Sequence, residues 1–269
     1  MRTRSLRRRV ALLLSFAVTA ASLPAHAADL VPHRAAYALR LDGPAASGAI
    51  ADARGATVTE YAQACDGWTA EQRIVLELAN AEGEVLTTDT GFTSWESKDG
   101  LRYRFNLRTV RNGEVAEEYR GEARLSGTGK PGEARYALPQ GRTVKLPAGA
   151  MFPMAHTLAL LKAAAAGKTL FAGVVFDGAT KEGMSNINAV IGKALSASAE
   201  DKANALSAGR SWNARLAFFD VGTNAPAPMY ELGMRMFENG VGGYQVMDYG
   251  EFRVRATLER LEPLPKPKC

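Results

Sequence analysis

Metal binding and proton transfer near neutral pH depend most often on histidine, and this chain of 269 residues has three. His26 lies in an N-terminal segment that we expect to be removed, so His33 and His156 remain. Neither stands at a recognisable metal-ligand spacing from a cysteine, a carboxylate or another histidine. We therefore interpret both as ordinary structural residues, and we expect no metal site.

Three other patterns associated with catalysis are absent or misplaced. No G-x-S-x-G nucleophile elbow occurs. The segment AAAAGKTL (163–170) contains the Gly-Lys-Thr of a phosphate-binding loop, but Lys162 occupies the position of the first glycine, and Gly167 follows a predicted helix instead of preceding one. The adjacent Glu117 and Glu118 should point to opposite faces of a strand. We therefore expect no catalytic residue and no cofactor, and we do not interpret the chain as an enzyme.

Cys65 and Cys269 are the two cysteines of the chain. In an exported protein, two cysteines indicate one disulfide. Such a bond would close a loop of about 205 residues, for which the chain-entropy relation gives an upper value of about 5 kcal/mol. Two free thiols, or thiols paired between molecules, are the alternative. On the first interpretation, the proline-rich segment LEPLPKPKC (261–269) fastens the end of a long sheet to its beginning.

The first 27 residues have the layout of a secretory signal peptide. Five arginines within the first nine residues precede an apolar run from Val10 to about Leu23, and the small-residue sequence Ala25-His26-Ala27 follows. The apolar run spans about 14 residues, whereas a bilayer-spanning helix needs about 20. We therefore expect cleavage near Ala27, export, and no transmembrane segment in the mature chain.

The basic character of the whole sequence comes from this N-terminal segment. The chain has 33 basic and 28 acidic residues, which gives a formal net charge of +5. Without the five arginines of residues 1–27, 28 basic residues face 28 acidic ones. A neutral mature chain has no general attraction for nucleic acid, so we expect no nucleic-acid partner.

Short runs of alternating apolar and polar residues dominate residues 32–141 and predict antiparallel strands. The clearest run is LRYRFNLRT (101–109), in which every second residue is apolar, and Asn112-Gly113 then suits a two-residue hairpin turn. Later runs predict strands at 169–179 and 212–221, and a long hairpin with Asn239-Gly240 at its tip. The pattern predicts a mainly all-β chain that forms a single domain over residues 28–269.

One segment, MFPMAHTLALLKAAAAGKT (151–169), breaks this alternation. Pro153 suits the first turn of a helix, and Gly167 suits the position just after its end. Large apolar side chains would share one face of this helix: Met154, Leu158 and Leu161. The spacing predicts one α-helix of about 14 residues. The segment at 189–212 mixes small and charged residues, and there we expect a loop.

A series of motifs follows the same order along the chain: VPHRAAYALRL (31–41), CDGW (65–68), FPMAHTLALL (152–161), FDG (176–178), YELGMRMFENGVGGY (230–244) and DYGEF (248–252), then the proline-rich tail. Together they resemble the EipB-like family, periplasmic proteins of alphaproteobacteria with a domain of unknown function. The resemblance implies a β-spiral, a long curved antiparallel sheet that forms an open barrel with one central α-helix. It also implies a disulfide, because the family's cysteines match Cys65 and Cys269.

The same resemblance implies a periplasmic role in cell envelope integrity and stress resistance, without enzymatic activity. Our hypothesis is that the chain acts by binding another envelope protein on its curved sheet. The alternative is a carrier of an apolar ligand (a lipid, lipoprotein or peptide) in the concave sheet. The methionine- and aromatic-rich hairpin at 234–249 is more typical of core packing than of a ligand site.

Overall fold

A computed structural model describes residues 30–43, 50–180, 183–222 and 225–269. The expected signal peptide at residues 1–27 lies outside the described residues. Within the described ranges, 14 strands and one α-helix follow the chain in this order: β1 (His33–Leu41), β2 (Ile50–Gln63), β3 (Gly67–Asn80), β4 (Val85–Ser97), β5 (Arg102–Arg111), β6 (Glu114–Leu125), β7 (Gly132–Leu138), β8 (Thr143–Leu146), α1 (Pro153–Ala165), β9 (Leu170–Phe176), β10 (Met184–Leu195), β11 (Ser211–Asp220), β12 (Tyr230–Phe237), β13 (Gly242–Asp248) and β14 (Arg253–Pro263).

All the strands belong to one antiparallel sheet with the order β8-β7-β6-β5-β4-β3-β2-β1-β14-β13-β12-β11-β10-β9. Its edges, β8 and β9, are brought together by the segment that follows β8. There the Met151 amide donates to the carbonyl of Val174, and the Phe176 amide donates to the carbonyl of Met151, each at 2.9 Å. These bonds make the sheet a nearly closed barrel. The prediction of a mainly all-β fold, with a long curved antiparallel sheet, an open barrel and one α-helix, is confirmed.

Strand β5 shows how the sequence selects the inner face of this sheet. Tyr103, Phe105 and Leu107 are buried, whereas Arg102 and Arg104 between them are exposed. Each fully buried large apolar side chain stabilises the fold by about 1.5–3 kcal/mol. Because side chains alternate along a strand, a shift of one residue in register would move all three into solvent.

Helix α1 begins at Pro153 and ends at Ala165, and Gly167 follows with a φ of +74°, so the helix prediction is confirmed. Its buried side chains, among them Leu160 and Leu161, join residues of β3, β10, β11 and β12 in one hydrophobic cluster. The helix therefore packs against the inner face of the sheet. Helices within the described ranges lack the length and apolar character needed to cross a bilayer.

The prediction of a loop from residue 189 was wrong for residues 189–195, which form the second half of β10. Ala189 and Ile191 face the core, and Val190 faces solvent. The alternation of a strand is therefore present, but it extends over only a few residues. Pairing with both β9 and β11 stabilises a strand whose own propensity is low. Residues 196–210 contain a short 3-10 helix, Asp201–Ala203, and no strand.

Cys65 and Cys269 are joined by a disulfide with their Cα atoms 5.7 Å apart. Cys65 lies in the turn between β2 and β3, and the Leu264 amide donates to the Pro32 carbonyl at 3.0 Å, which directs the tail past the start of β1. The tail therefore joins the end of the chain to its early strands. These strands lie in the middle of the sheet, however, because β1 pairs with β14, so the disulfide does not close the gap between the edges.

Candidate functional site

A cavity of about 280 Å³ lies between α1 and the inner face of the sheet. Its walls come from the helix, from residues preceding β1, and from strands β1, β2, β3, β11, β12 and β13. His33 of β1 and His156 of α1, which are far apart along the chain, both line it. Most of the wall is apolar, with leucine and methionine side chains from α1 and from β12. The two histidines of the described residues therefore meet on the wall of a mostly apolar cavity.

His33 is fixed by a local hydrogen bond at the start of β1. Its Nδ1 lies 2.8 Å from the carbonyl of Val31, to which the Nδ1 proton is donated, and its ring lies 5.4 Å from the ring of Tyr61. Burial lowers the pKa of His33, although the bond to Val31 acts in the opposite direction. A neutral, oriented imidazole on the cavity wall is the result.

His156 lies in the first turns of α1 and is 5 % exposed. Its ring lies 5.5 Å from the ring of Phe171 in β9. Burial lowers the pKa of His156 to about 4, so the imidazole is neutral at physiological pH. Its Nε2 is buried without a hydrogen-bond partner among the described residues. A buried polar atom without a partner costs free energy, and this one belongs to a residue of the cavity wall.

Two other polar side chains around the cavity are hydrogen-bonded within the protein. The Tyr37 hydroxyl donates to the carbonyl of Gly242 at 2.9 Å, and the Gln72 amide donates to the Thr59 hydroxyl at 3.3 Å. These bonds connect β1 with β13 and β2 with β3. Nε2 of His156 differs from these atoms, because it is buried and has no hydrogen-bond partner among the described residues.

Glu96, at the end of β4, holds the N-terminus of α1 in place. Its carboxylate accepts hydrogen bonds from the amides of Met154 at 2.7 Å and Ala155 at 2.8 Å, while the N-cap residue Phe152 has no side chain that could do so. It thus replaces the Ser, Thr, Asp or Asn that usually caps a helix. Burial raises the pKa of Glu96 to about 7, and the two amide bonds lower it by less.

The sequence analysis missed Glu96, although two signals indicated its role. It occupies an inward-facing position of a strand, where a carboxylate must find partners. A helix that begins Phe-Pro also lacks a capping side chain of its own, so its free amides need an acceptor from elsewhere. Combining the two signals requires knowing that β4 passes the start of α1.

These residues do not form a catalytic or metal-binding arrangement. Among the described residues, no three histidine, cysteine or acidic side chains are grouped so that they could hold a metal ion. The carboxylate of Glu96 is occupied by the helix amides, and both imidazoles are held neutral by burial. What the cavity offers is a mostly apolar volume, which suits binding.

A second concave surface, of about 850 Å³, lies on the solvent-facing side of β4–β7. We call it the arginine groove, and its charged and aromatic lining consists of Trp95, Arg102, Arg104, Glu122, Arg124, Glu133 and Arg135. The guanidinium carbons of Arg102 and Arg104 lie 5.4 and 4.5 Å from the centre of the Trp95 ring. Cation–π contacts of this kind hold the arginine side chains over a flat apolar surface.

The charges of the arginine groove are only partly neutralised within the protein. Arg135 pairs with Glu133 at 2.6 Å. Arg102 of β5 and Arg124 of β6 are directly opposite each other, and neither forms an ion pair with a described carboxylate. Like charges opposite each other destabilise a sheet, so the stability of the fold does not explain this pair. The groove therefore carries a local excess of positive charge.

Comparison with known proteins gives three consistent results. The profile of the EipB-like family matches residues 24–265. The chain is 30 % identical to the cell envelope integrity protein EipB of Brucella abortus over 247 residues, which cover 90 % of this chain and 87 % of that protein.

A solved structure shows the same fold. The crystal structure of a beta-barrel-like protein of a domain of unknown function from Brucella abortus has a TM-score of 0.79 to this chain and is 29 % identical. The match covers 88 % of this chain and 99 % of that one. Since the family match extends from before β1 to the end of β14, it includes every strand, the helix and both concave surfaces. The chain belongs to the EipB-like family.

Proposed function

We propose that this chain is a non-enzymatic periplasmic protein that maintains cell envelope integrity and stress resistance by binding another envelope protein. A relative covering most of the chain is named for cell envelope integrity, which supports the cellular role. The observation that supports binding is the arginine groove. It is concave, it combines Trp95 with four arginines, and Arg102 and Arg124 have no ion-pair partner among the described residues. Tryptophan and arginine are the residues most enriched where protein partners bind tightly.

The mixture of charges in the groove favours a protein as the partner. Glu122 lies opposite both Arg104 and Arg135, and Glu133 lies opposite Arg124, so acidic residues separate the basic ones. A uniformly anionic surface would be repelled by these glutamates. A protein surface can instead present acidic groups to the arginines and avoid the glutamates, and this matching of charges gives specificity.

Survival of cells under envelope stress tests the proposal. A strain that lacks the protein should lose resistance to detergents and to antibiotics that act on the cell wall, and the wild-type chain should restore it. The double variant Arg102→Glu/Arg124→Glu should not restore it, because the charge of the groove is reversed. Normal survival of the strain that lacks the protein would contradict the cellular role.

A matched control separates the groove from charge in general. Lys168→Glu/Lys193→Glu makes the same change in charge at two exposed positions outside the groove. The control should restore survival fully. Arg102→Glu/Arg124→Glu keeps a pair of like charges across β5 and β6 but also places a glutamate opposite Glu133, so near-UV circular dichroism must verify that the variant folds as the wild type does. Full restoration of survival by the groove variant would contradict binding at this surface.

The periplasmic location is part of the same proposal. The signal-like residues 1–27 and the Cys65–Cys269 disulfide support it, because disulfides persist in oxidising compartments. We expect the mature chain to begin near Ala28 and to form one domain over residues 28–269. Fractionation followed by N-terminal sequencing should recover this species in the periplasm. Recovery of the full-length chain from the cytoplasm would contradict the location.

The interior cavity supports a second function, a carrier of an apolar ligand. Small-molecule sites usually enclose about 300–1,000 Å³, and this cavity, at about 280 Å³, lies at the lower limit. A small apolar molecule therefore fits it better than a lipoprotein or a diacyl lipid does. Native mass spectrometry of protein isolated gently from the periplasm should reveal a bound molecule if the chain is a carrier. Recovery of the bare chain would argue against it.

A further inference from the structure

We propose that Arg102 and Arg124 together hold one carboxylate, the side chain of an aspartate or glutamate on the envelope protein that binds at the arginine groove. This inference rests on the proposed function and specifies what the groove recognises in its partner. Three separate observations support it: the register of β5 and β6, the ion pairs of the neighbouring residues, and the contact of Arg102 with Trp95.

The register of β5 and β6 places the two arginines side by side on the outer face. Arg102 is directly opposite Arg124, and in the adjacent pair the Leu125 amide donates to the Leu101 carbonyl at 2.9 Å. Hydrogen-bonded and non-hydrogen-bonded pairs alternate along an antiparallel ladder, so the arginines form a non-hydrogen-bonded pair. Accordingly, the Arg102 amide donates to the hydroxyl of Ser97 in β4 at 2.9 Å, away from β6. The Cβ atoms of such a pair are about 4.5–5.5 Å apart, so both guanidinium groups can reach one small anion.

Two carboxylates close to the arginines are engaged elsewhere. Glu133 lies opposite Arg124 but forms an ion pair with Arg135 at 2.6 Å. Asp99 accepts hydrogen bonds within its own turn, and these lower the pKa of its carboxyl, to which the charge of Arg102 contributes less. Neither carboxylate forms an ion pair with Arg102 or Arg124. The two guanidinium groups therefore keep a positive charge that an acidic partner can neutralise.

The Trp95 ring orients one of the two arginines in advance. The guanidinium carbon of Arg102 lies 5.4 Å from the centre of that ring. A planar guanidinium group held on an aromatic surface loses less conformational freedom when it binds an anion. Arg124 has no ion pair or aromatic contact among the described residues, so its side chain can turn towards an anion held by Arg102.

The chemistry of the guanidinium group favours a carboxylate as the anion. An ionised carboxylate has about four lone-pair sites, and each guanidinium group can fill two of them with parallel N–H bonds. One carboxylate thus satisfies both arginines. A phosphate group carries up to about two negative charges, and Glu122 and Glu133 on the same face of the sheet would repel the second charge. A single carboxylate on a protein surface fits between these glutamates.

Replacing both arginines by lysine tests the paired geometry separately from the charge. A photoreactive amino acid in place of Asn106, an exposed residue of β5 beside the groove, reports the bound partner in living cells as a crosslinked product. Arg102→Lys/Arg124→Lys keeps the charge but loses both planar forks. The yield of the product, measured at a low level of the chain so that it follows the affinity, should therefore fall about tenfold. Arg108→Lys/Arg111→Lys, at two exposed positions of the same strand outside the groove, should give the wild-type yield.

Selection of suppressors identifies the group on the partner that the two arginines hold. Cells that carry Arg102→Glu/Arg124→Glu are plated on detergent, and survivors with a change in another gene are sequenced. We expect survivors in which one aspartate or glutamate of an exported protein is replaced by lysine or by a neutral residue, because this removes the repulsion from the reversed pair. The same exported protein should be found in the crosslinked product of the wild type.

The outcomes separate this inference from the proposed function. A wild-type yield in Arg102→Lys/Arg124→Lys, with no product in Arg102→Glu/Arg124→Glu, would refute the shared carboxylate and leave binding at the groove intact. A selection that recovers no loss of an acidic side chain, or only changes at a partner's C-terminus, would also refute it. Product that persists in Arg102→Glu/Arg124→Glu would instead refute binding at the groove itself. Equal amounts of the chain on an immunoblot verify that every variant is folded and retained.

Discussion

Removing the disulfide tests how the chain is stabilised. In both Cys65→Ser and Cys269→Ser the bond is lost, and little packing is lost with it, because both cysteines are exposed. The sequence separation of 204 residues gives an entropic contribution of about 5 kcal/mol at 25 °C. Because structure that remains in the unfolded chain reduces this value, we expect each variant to lose up to about 5 kcal/mol.

Urea unfolding of the mature protein, followed by circular dichroism, measures this loss. The two single variants, the double variant and the reduced wild type should unfold at the same urea concentration, because all four lack the same bond. Reductant should have no further effect on any variant. An unchanged unfolding free energy in either single variant would refute the reasoning. So would a band of dimer size for the wild type on a non-reducing gel, which would show pairing between molecules.

Three further predictions concern the interior. Burial raises the pKa of Glu96 from 4.5 to about 7, so its stabilising contribution is complete below pH 4.5 and is lost as the pH rises through 7. The unfolding free energy of the wild type relative to Glu96→Gln should therefore fall by about 3 kcal/mol between pH 4.5 and 8. Equal pH slopes of the two proteins in urea unfolding would contradict this. Burial lowers the pKa of His156 from 6.5 to about 4, so its contribution to the unfolding free energy is present above pH 6.5 and is lost towards pH 4. His156→Leu should therefore remove about 3 kcal/mol of the destabilisation by acid. The lowered pKa of His33 should account for part of the pH dependence that remains. Phe176→Ala, at a position with 0 % exposure, should lower the unfolding free energy by about 3–5 kcal/mol. Tyr244→Ala, at an exposed position, should lower it by less than about 1 kcal/mol. Similar losses in both variants would contradict the described core.

The local elements were predictable wherever the sequence pattern is strong. The alternation in residues 101–109 predicted both the strand and the side that carries Arg102 and Arg104. Pro153 and Gly167 marked the ends of α1 to within two residues. The same reasoning failed at residues 189–195, because the alternation there runs through alanine and glycine. Pairing with β11, joined by β9 at Ala189 and Val190, decides the structure instead.

The candidate sites depend on contacts between distant parts of the chain, and these the sequence did not reveal. Alternation placed Arg102 on the outer face, but only the register of β5 with β6 sets it opposite Arg124. His33 and His156 lie on one cavity because β1 curves around a helix that comes much later in the chain. Glu96 reaches the helix in a similar way, because the curved sheet brings β4 past the start of α1. Each residue was visible in the sequence, whereas the distances between them arise from the closure of the sheet.

Site-specific photo-crosslinking in living cells tests the central claim, that an envelope protein binds at the arginine groove. A photoreactive amino acid at position 106, an exposed asparagine beside the groove on β5, should give a crosslinked product of higher mass on irradiation. The same amino acid at Val190, exposed on the outer face of β10, should give none. Arg102→Glu/Arg124→Glu should abolish the product at position 106. No product at position 106, or equal products at both positions that persist in the double variant, would contradict the claim.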